Sequence, residues 1–309
     1  MAVVAAPSRL GLWWNGDLAY SFRHAPVAVV SAIVLAICLG AALLAPWVAP
    51  HNPFDLATLN LLDALTPPHG MAGAKPEYLL GTDDQGRDVL SAIMFGTRIS
   101  LLVGACAVAL AMALGVSLGL VSGYSGGRLD AFIMRAADVQ LSFPAILIAL
   151  LIDGIARAAL PRSVHGDIAL VVLIVAIGVS NWPQYARTVR GSTLVEKNKE
   201  YVQAARVIGV RPPAIVFRHL LPNVLGPVLV IATINIATAI VLEATLSFLG
   251  VGVPPTRPSL GTLIRVGNDF LFSGEWWITI FPGAALVIMV LAINLLGDWL
   301  RDALNPKLR

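Results

Sequence analysis

Charge is scarce in this sequence. Only 13% of its 309 residues are Asp, Glu, Lys or Arg, against 57% apolar, where a soluble domain carries about 25% charged residues. That shortage excludes an ordinary water-soluble globule, and a mean hydropathy of +0.80 points the same way: part of the surrounding solvent is lipid. Cysteine is nearly absent too. Cys38 and Cys106 each sit inside an apolar run, where a thiol behaves as a small hydrophobe, so neither a disulfide framework nor a metal site is expected. The histidines (His24, His51, His69, His165 and His219) show no ligand spacing. With a net charge of +3 and no basic tract, nothing suggests nucleic acid as a partner.

Long apolar runs are what the sequence has instead. A bilayer-spanning helix needs about 20 mostly apolar residues, and six runs qualify: 25–49, 99–124, 131–152, 168–186, 220–242 and 276–297. The expected fold class is an all-α integral membrane protein with six transmembrane helices. The first run is longer than the roughly 7–15 residues of a signal-peptide core, so cleavage is not expected. Orientation follows from the Lys/Arg bias of the loops. With the N-terminus inside, 14 of the 21 basic residues fall on the inner side and 7 on the outer, which places both termini in the cytoplasm. The resulting division is an N-terminal arm (1–24), helix 25–49, an external loop (50–98), a core (99–298) containing a cytoplasmic loop at 187–222, and a tail (299–309). The second outer loop carries the turn "VPPTRPS" at 253–259. It leads to Trp276 and Trp277, read as interfacial anchors.

One stretch breaks the apolar pattern. Residues 199–223, "KEYVQAARVIGVRPPAIVFRHLLPN", crowd five charged side chains among two adjacent alanines, a glycine and three prolines. Residues 201–208 favour a short helix, with Gly209 suited to a left-handed stop and Pro212 and Pro213 barring continuation. Tyr201, Ala204, Ala205 and Ile208 share one face at i, i+3, i+4, i+7 spacing. The two alanines leave no bulk there, so another surface can approach closely. Pro222 is expected to open the next span, where its missing N–H costs little. Such a helix between two spans serves either as a lever pushed by a cytosolic partner or as an interfacial helix resting on lipid headgroups.

The stretch resembles the cytoplasmic Glu-Ala-Ala loop of bacterial ATP-binding cassette (ABC) importer permeases: Glu-Ala-Ala, three residues, Gly, nine residues, Ile, any residue, Leu-Pro. Here it reads Gln203, Ala204, Ala205, then Gly209, then His219, Leu221 and Pro222. Gln203 departs from the motif glutamate and His219 from the isoleucine, although "FRHLLPN" is similar to what the dipeptide/oligopeptide/nickel branch carries. "LGTDDQGRDVLS" (80–91), "GTRISLLVG" (96–104), "EATLSFLGVGV" (243–253) and "FPGAALVIMVLAINLLGDWLRDALNPK" (281–307) look like the C-type permease subunit of that branch. The segment 57–78 matches no such block. The resemblance implies a type I importer permease fold in the bacterial inner membrane, with a coupling helix between helices four and five. Tyr201, Gln203, Ala204, Ala205, Arg206, Gly209, Leu221 and Pro222 would be its ATPase-coupling residues. It implies no catalytic residue and no cofactor in this chain: without a G-x-x-x-x-G-K-[ST] run, ATP and Mg belong to one or two separate ATP-binding subunits. A second, B-type permease, an external solute-binding protein and membrane lipid complete the implied partners. Di- and oligopeptides lead as substrates, with nickel chelates and glutathione open. A stand-alone ion-coupled secondary transporter or channel is the alternative, although no internal repeat of that class is evident.

Other features admit two readings each. Thr82 and Gln85 fit a capping box ahead of an apolar face of Val89, Leu90, Ile93 and Met94, while Asp83, Asp84 and Asp88 lack the spacing of a cation loop. Gly115, Gly119 and Gly123 recur at steps of four, for close helix packing or for lining a pathway. Arg135 and Asp138 can pair on one helix face or relay protons. Glu243 lies 20 residues after Asn223, about 30 Å along a helix, where its carboxylate would reach water at the outer edge. A gate, a receptor contact and a helix cap are all open for it.

Overall fold

The computed structural model describes residues 17–55, 59–161, 165–254 and 256–304. The expected arm and tail therefore lie partly outside the described residues, as does part of the 57–78 segment. Helices α1 (Asp17–Arg23), α2 (Pro26–Val48), α3 (Val89–Ser125), α4 (Gly127–Leu141) and α5 (Ala145–Ala159) come first. Then follow α6 (His165–Glu196) and α7 (Glu200–Val207). Next is α8 (Pro212–Phe248), continuous but π-helical at Ile215–Leu220. Short α9 (Leu260–Asn268) and long α10 (Trp277–Leu304) close the chain. Five helices are long and apolar enough to cross a membrane, and the bent pair α4–α5 makes a sixth span if counted as one.

The expected third span is thus broken, with its two helices set at 94°. Pro144 follows the break; it lacks an N–H and clashes with the preceding turn, while the Ser142 hydroxyl donates back to Asp138 O at 2.9 Å. The second span begins at Val89 rather than 99, and its N-cap is Asp88, which accepts from the Ser91 N–H at 2.9 Å. Thr82 caps nothing. Its hydroxyl donates to Asp63 O at 2.5 Å and accepts from the Thr66 N–H at 2.8 Å, so the capping-box expectation is corrected. Asp83 pairs with Arg87 at 2.6 Å. Trp277 is no interfacial anchor: it is buried, donating from Nε1 to Thr82 O at 3.0 Å, and only Trp276 stays partly exposed.

The core sits where α3, α6 and α8 meet, with α10 and α9 against α3 and α8. Along the α3–α6 seam, Cβ atoms added at Gly115, Gly119 and Gly123 would lie 2.4, 2.6 and 2.7 Å from Tyr185 Cβ, Ala186 O and Thr193 Cβ. Only glycine lets the two backbones approach so closely. α2 lies outermost and leaves Val27, Val30, Ile33, Ile37, Leu43 and Trp47 exposed, the pattern of a helix whose solvent is lipid.

Candidate coupling site

α7 hangs where three spans end. Its C-terminus is closed by a Schellman arrangement: Gly209 at φ 82° donates to Arg206 O and Val210 donates to Ala205 O, both at 3.0 Å. The left-handed stop read from the sequence is present. At its start, Tyr201 Oη donates to Glu196 Oε2 of α6 at 2.6 Å and accepts from Asn223 Nδ2 of α8 at 3.2 Å. Burial and the neighbouring Glu196 carboxylate push the Tyr201 phenol up to about 12, so it remains a donor throughout the physiological range. Lys199 bonds the other Glu196 oxygen at 2.6 Å. Two links run to α3: Lys197 Nζ donates to Gly123 O at 2.7 Å, and the Arg206 guanidinium lies 5.4 Å from the Tyr124 ring centroid. The short helix is tied to α3, α6 and α8 together.

Gln203 has a role of its own. Its Nε2 donates to Asn198 O at 2.9 Å, a bond that an ionised glutamate could not make, because a carboxylate only accepts. The face read from the sequence is partly corrected. Val202 and Ala205 turn inward and are buried, whereas Tyr201, Ala204 and Ile208 face out. Val207 and Ile208 are 87% and 78% exposed. The outward row is therefore Ala204, Val207 and Ile208, neighbours on one helix face at i, i+3 and i+4. Leu221 and Pro222 sit inside α8 rather than at the opening of a new helix. The π turn before them, where Leu221 N–H reaches Val216 O, changes the hydrogen-bond register just where Pro222 offers no donor.

Other site expectations resolve differently. Asp138 pairs with Arg187 of α6, not with Arg135. Glu243 does not reach water: it is fully buried, accepting from Ser100 Oγ at 2.8 Å and Ser247 Oγ at 2.7 Å. Its burial arises because the turn after α8 folds α9 back over it, with Leu260 N–H donating to Ser100 Oγ at 3.3 Å.

Two arrangements were missed. Asp130 of α4 takes a two-pronged bond from Arg190 of α6, Nε at 2.5 Å and Nη2 at 2.7 Å. Pro183 within α6 leaves Val179 O without its usual helical partner; Gln140 of α4 donates to that carbonyl and accepts from Trp182 Nε1 at 2.7 Å. A proline in the middle of an apolar run was the available signal for such a donor.

A bundle of five unbroken spans and one bent pair, with a rigid short helix slung between two of them, is built as the membrane-spanning part of a transport system. Residues 115–309 match the model for the binding-protein-dependent transport system inner membrane component, and residues 13–68 match that for the N-terminal TM domain of oligopeptide transport permease C. Similar proteins include the di/tripeptide transport system permease protein DppC of Pseudomonas aeruginosa, 38% identical over 98% of this chain and 94% of that one. The dipeptide transport system permease protein DppC of Escherichia coli is 42% identical over 93% and 91%. The oligopeptide transport system permease protein OppC of Bacillus subtilis is 37% identical over 97% and 91%. The fold is shared with a chain of the inward-facing MetNI methionine ABC transporter, with TM-score 0.54 and 23% identity over 69% of this chain and 96% of that one. The chain belongs to the family of binding-protein-dependent transport system inner membrane components. Its activity is that of a permease subunit of an ABC importer.

Proposed function

We propose that the chain forms half of the membrane pathway of an importer for di- and oligopeptides, with α7 as the lever that passes ATP-driven motion to the spans. The carrying observation is the stripe of Ala204, Val207 and Ile208, apolar and exposed on a helix otherwise held fast to three spans. A hydrophobic stripe on a rigid helix suits a groove on a partner. Because its bonds fix it to α3, α6 and α8, a push on α7 is delivered to all three. The partner is an ATP-binding subunit, which hydrolyses ATP while this chain does not. A second permease completes the pathway, and an external solute-binding protein delivers the cargo. With the bent pair counted as one crossing, both termini and α7 lie in the cytoplasm, following the Lys/Arg bias. Peptides are favoured as cargo by the names of the related permeases. The test is uptake of a labelled dipeptide into proteoliposomes holding the complete system, with ATP at the ATPase face. ATP-dependent accumulation is expected; accumulation driven by a proton or sodium gradient without ATP would defeat the reading.

A further inference from the structure

At the end of α3 remote from α7, the turn after α8 borders a half-open cavity of about 720 Å³. Its walls include Phe54, Phe95, Leu170 and Pro254, and two guanidiniums, Arg98 and Arg257, line it. Phe54 and Phe95 meet edge-on, 5.2 Å apart, which stiffens one wall. No carboxylate is among its described lining residues, and neither arginine makes an ion pair or side-chain hydrogen bond among the described residues. The volume falls within the roughly 300–1,000 Å³ usual for small-molecule sites, which join apolar walls to a few polar groups.

Two unpartnered guanidiniums in a concave, mostly apolar space select an anion. Their planar forks match a carboxylate in particular. An acidic protein surface would answer the charge but would leave the aromatic wall unfilled. We propose that this cavity receives the C-terminal carboxylate of a peptide. Arg98 and Arg257 hold the charge, Thr256 adds a hydroxyl, and Phe54 and Phe95 pack against the last side chain. The chemistry suits a carrier of many sequences, because linear peptides share their terminal carboxylate whatever their side chains. The assignment rests on the peptide-import reading.

The experiment is equilibrium binding of alanyl-phenylalanine and of its C-terminal amide to the assembled transporter in nanodiscs, without the external binding protein. The wild type should bind the acid more tightly than the amide. Arg98→Gln and Arg257→Gln should each weaken acid binding about tenfold, the loss of one charge-assisted contact, and leave amide binding unchanged; Arg98→Lys should recover part of the difference. Equal wild-type affinity for acid and amide, no binding of either, or glutamine variants that keep the preference would each overturn the assignment. Proteoliposome uptake with the binding protein present separates this result from the broader reading. Wild-type uptake together with an unaltered preference in the variants defeats the cavity assignment alone, whereas absent wild-type uptake defeats peptide import itself.

Discussion

Adding one methyl group at Gly119 should destabilise the protein, and adding one at Gly191 should stabilise it. A Cβ at Gly119 would lie 2.6 Å from Ala186 O and 2.7 Å from Val189 Cβ, whereas at Gly191 nothing lies within 4 Å. Ordinary contact begins at 3.4 Å, so α3 and α6 would have to part by roughly 0.8 Å at a close-packed seam. Overpacking of this kind costs about 1–3 kcal/mol. The better helix propensity of alanine returns about 0.5–1 kcal/mol. Because both helices are stiff, parting them at Gly119 also loosens the contacts at Gly115 and Gly123, so the net loss for Gly119→Ala should be about 1–2 kcal/mol. Gly191→Ala keeps only the propensity gain, about 0.5–1 kcal/mol. Thermal unfolding of the purified protein in a mild detergent reads both. A Gly119→Ala midpoint at or above wild type would refute the close-packing argument, as would shifts of the same sign in both variants.

Gln140→Leu strands Val179 O and Trp182 Nε1 in the α4–α6 contact, at about 1–3 kcal/mol for each buried group. Pro183→Ala returns an N–H to Val179 O, so the double variant should lose less than the sum of the singles; strictly additive midpoints would contradict this. Glu243→Gln keeps an acceptor for one of the Ser100 and Ser247 hydroxyls and offers the other an N–H to accept from, so it should be mild, while Glu243→Leu leaves both hydroxyl protons without their acceptor and should speed proteolysis of the turn after α8. Equal proteolysis rates in the two variants would remove that account of Glu243. In the loop before α3, the hydrogen bond from Lys75 chiefly holds the Asp63 carboxyl below the usual carboxylate range, helped by Tyr78 and Asn60. A lowered folded value stabilises above the unfolded value and is lost as pH falls through the folded one. Protection of residues 59–88 from protease should therefore decay below about pH 4, and Asp63→Asn should flatten that dependence; an unchanged profile in the variant would assign the acid sensitivity elsewhere.

Apolar run length reveals the spans because lipid leaves a chain few ways to satisfy its backbone. Five of the six expected runs are unbroken helices. The sixth, 131–152, is bent by 94° just before Pro144, a residue within the expected run. Local rules also gave the Gly209 stop, whose geometry depends only on its own turn. Burial was harder to read. Glu243 looked water-exposed from distance along one helix, but the cover comes from α9, which the turn after α8 folds back over it. Ala205 and Val202 turn inward because Ile215 and Leu220 of α8 share their buried core, and no periodicity within residues 201–208 reports that neighbour. The partners of Asp138 and Asp130 lie on α6, and pairing across helices left no mark in the spacing along one.

Val207 and Ile208 offer the most direct test of the lever. Burying them in a partner groove is worth about 1.5–3 kcal/mol each, and an aspartate at either place adds the cost of burying an unpaired charge. Ala205 is an unsuitable probe, because it is buried within the chain itself. The measurement is co-purification of the ATP-binding subunit with the wild-type permease and with Val207→Asp and Ile208→Asp. Affinity should fall about 100-fold in each variant, with the membrane protein still folded and eluting as wild type. An ATP-binding subunit that stays bound to both variants, with uptake intact, would contradict α7 as the lever.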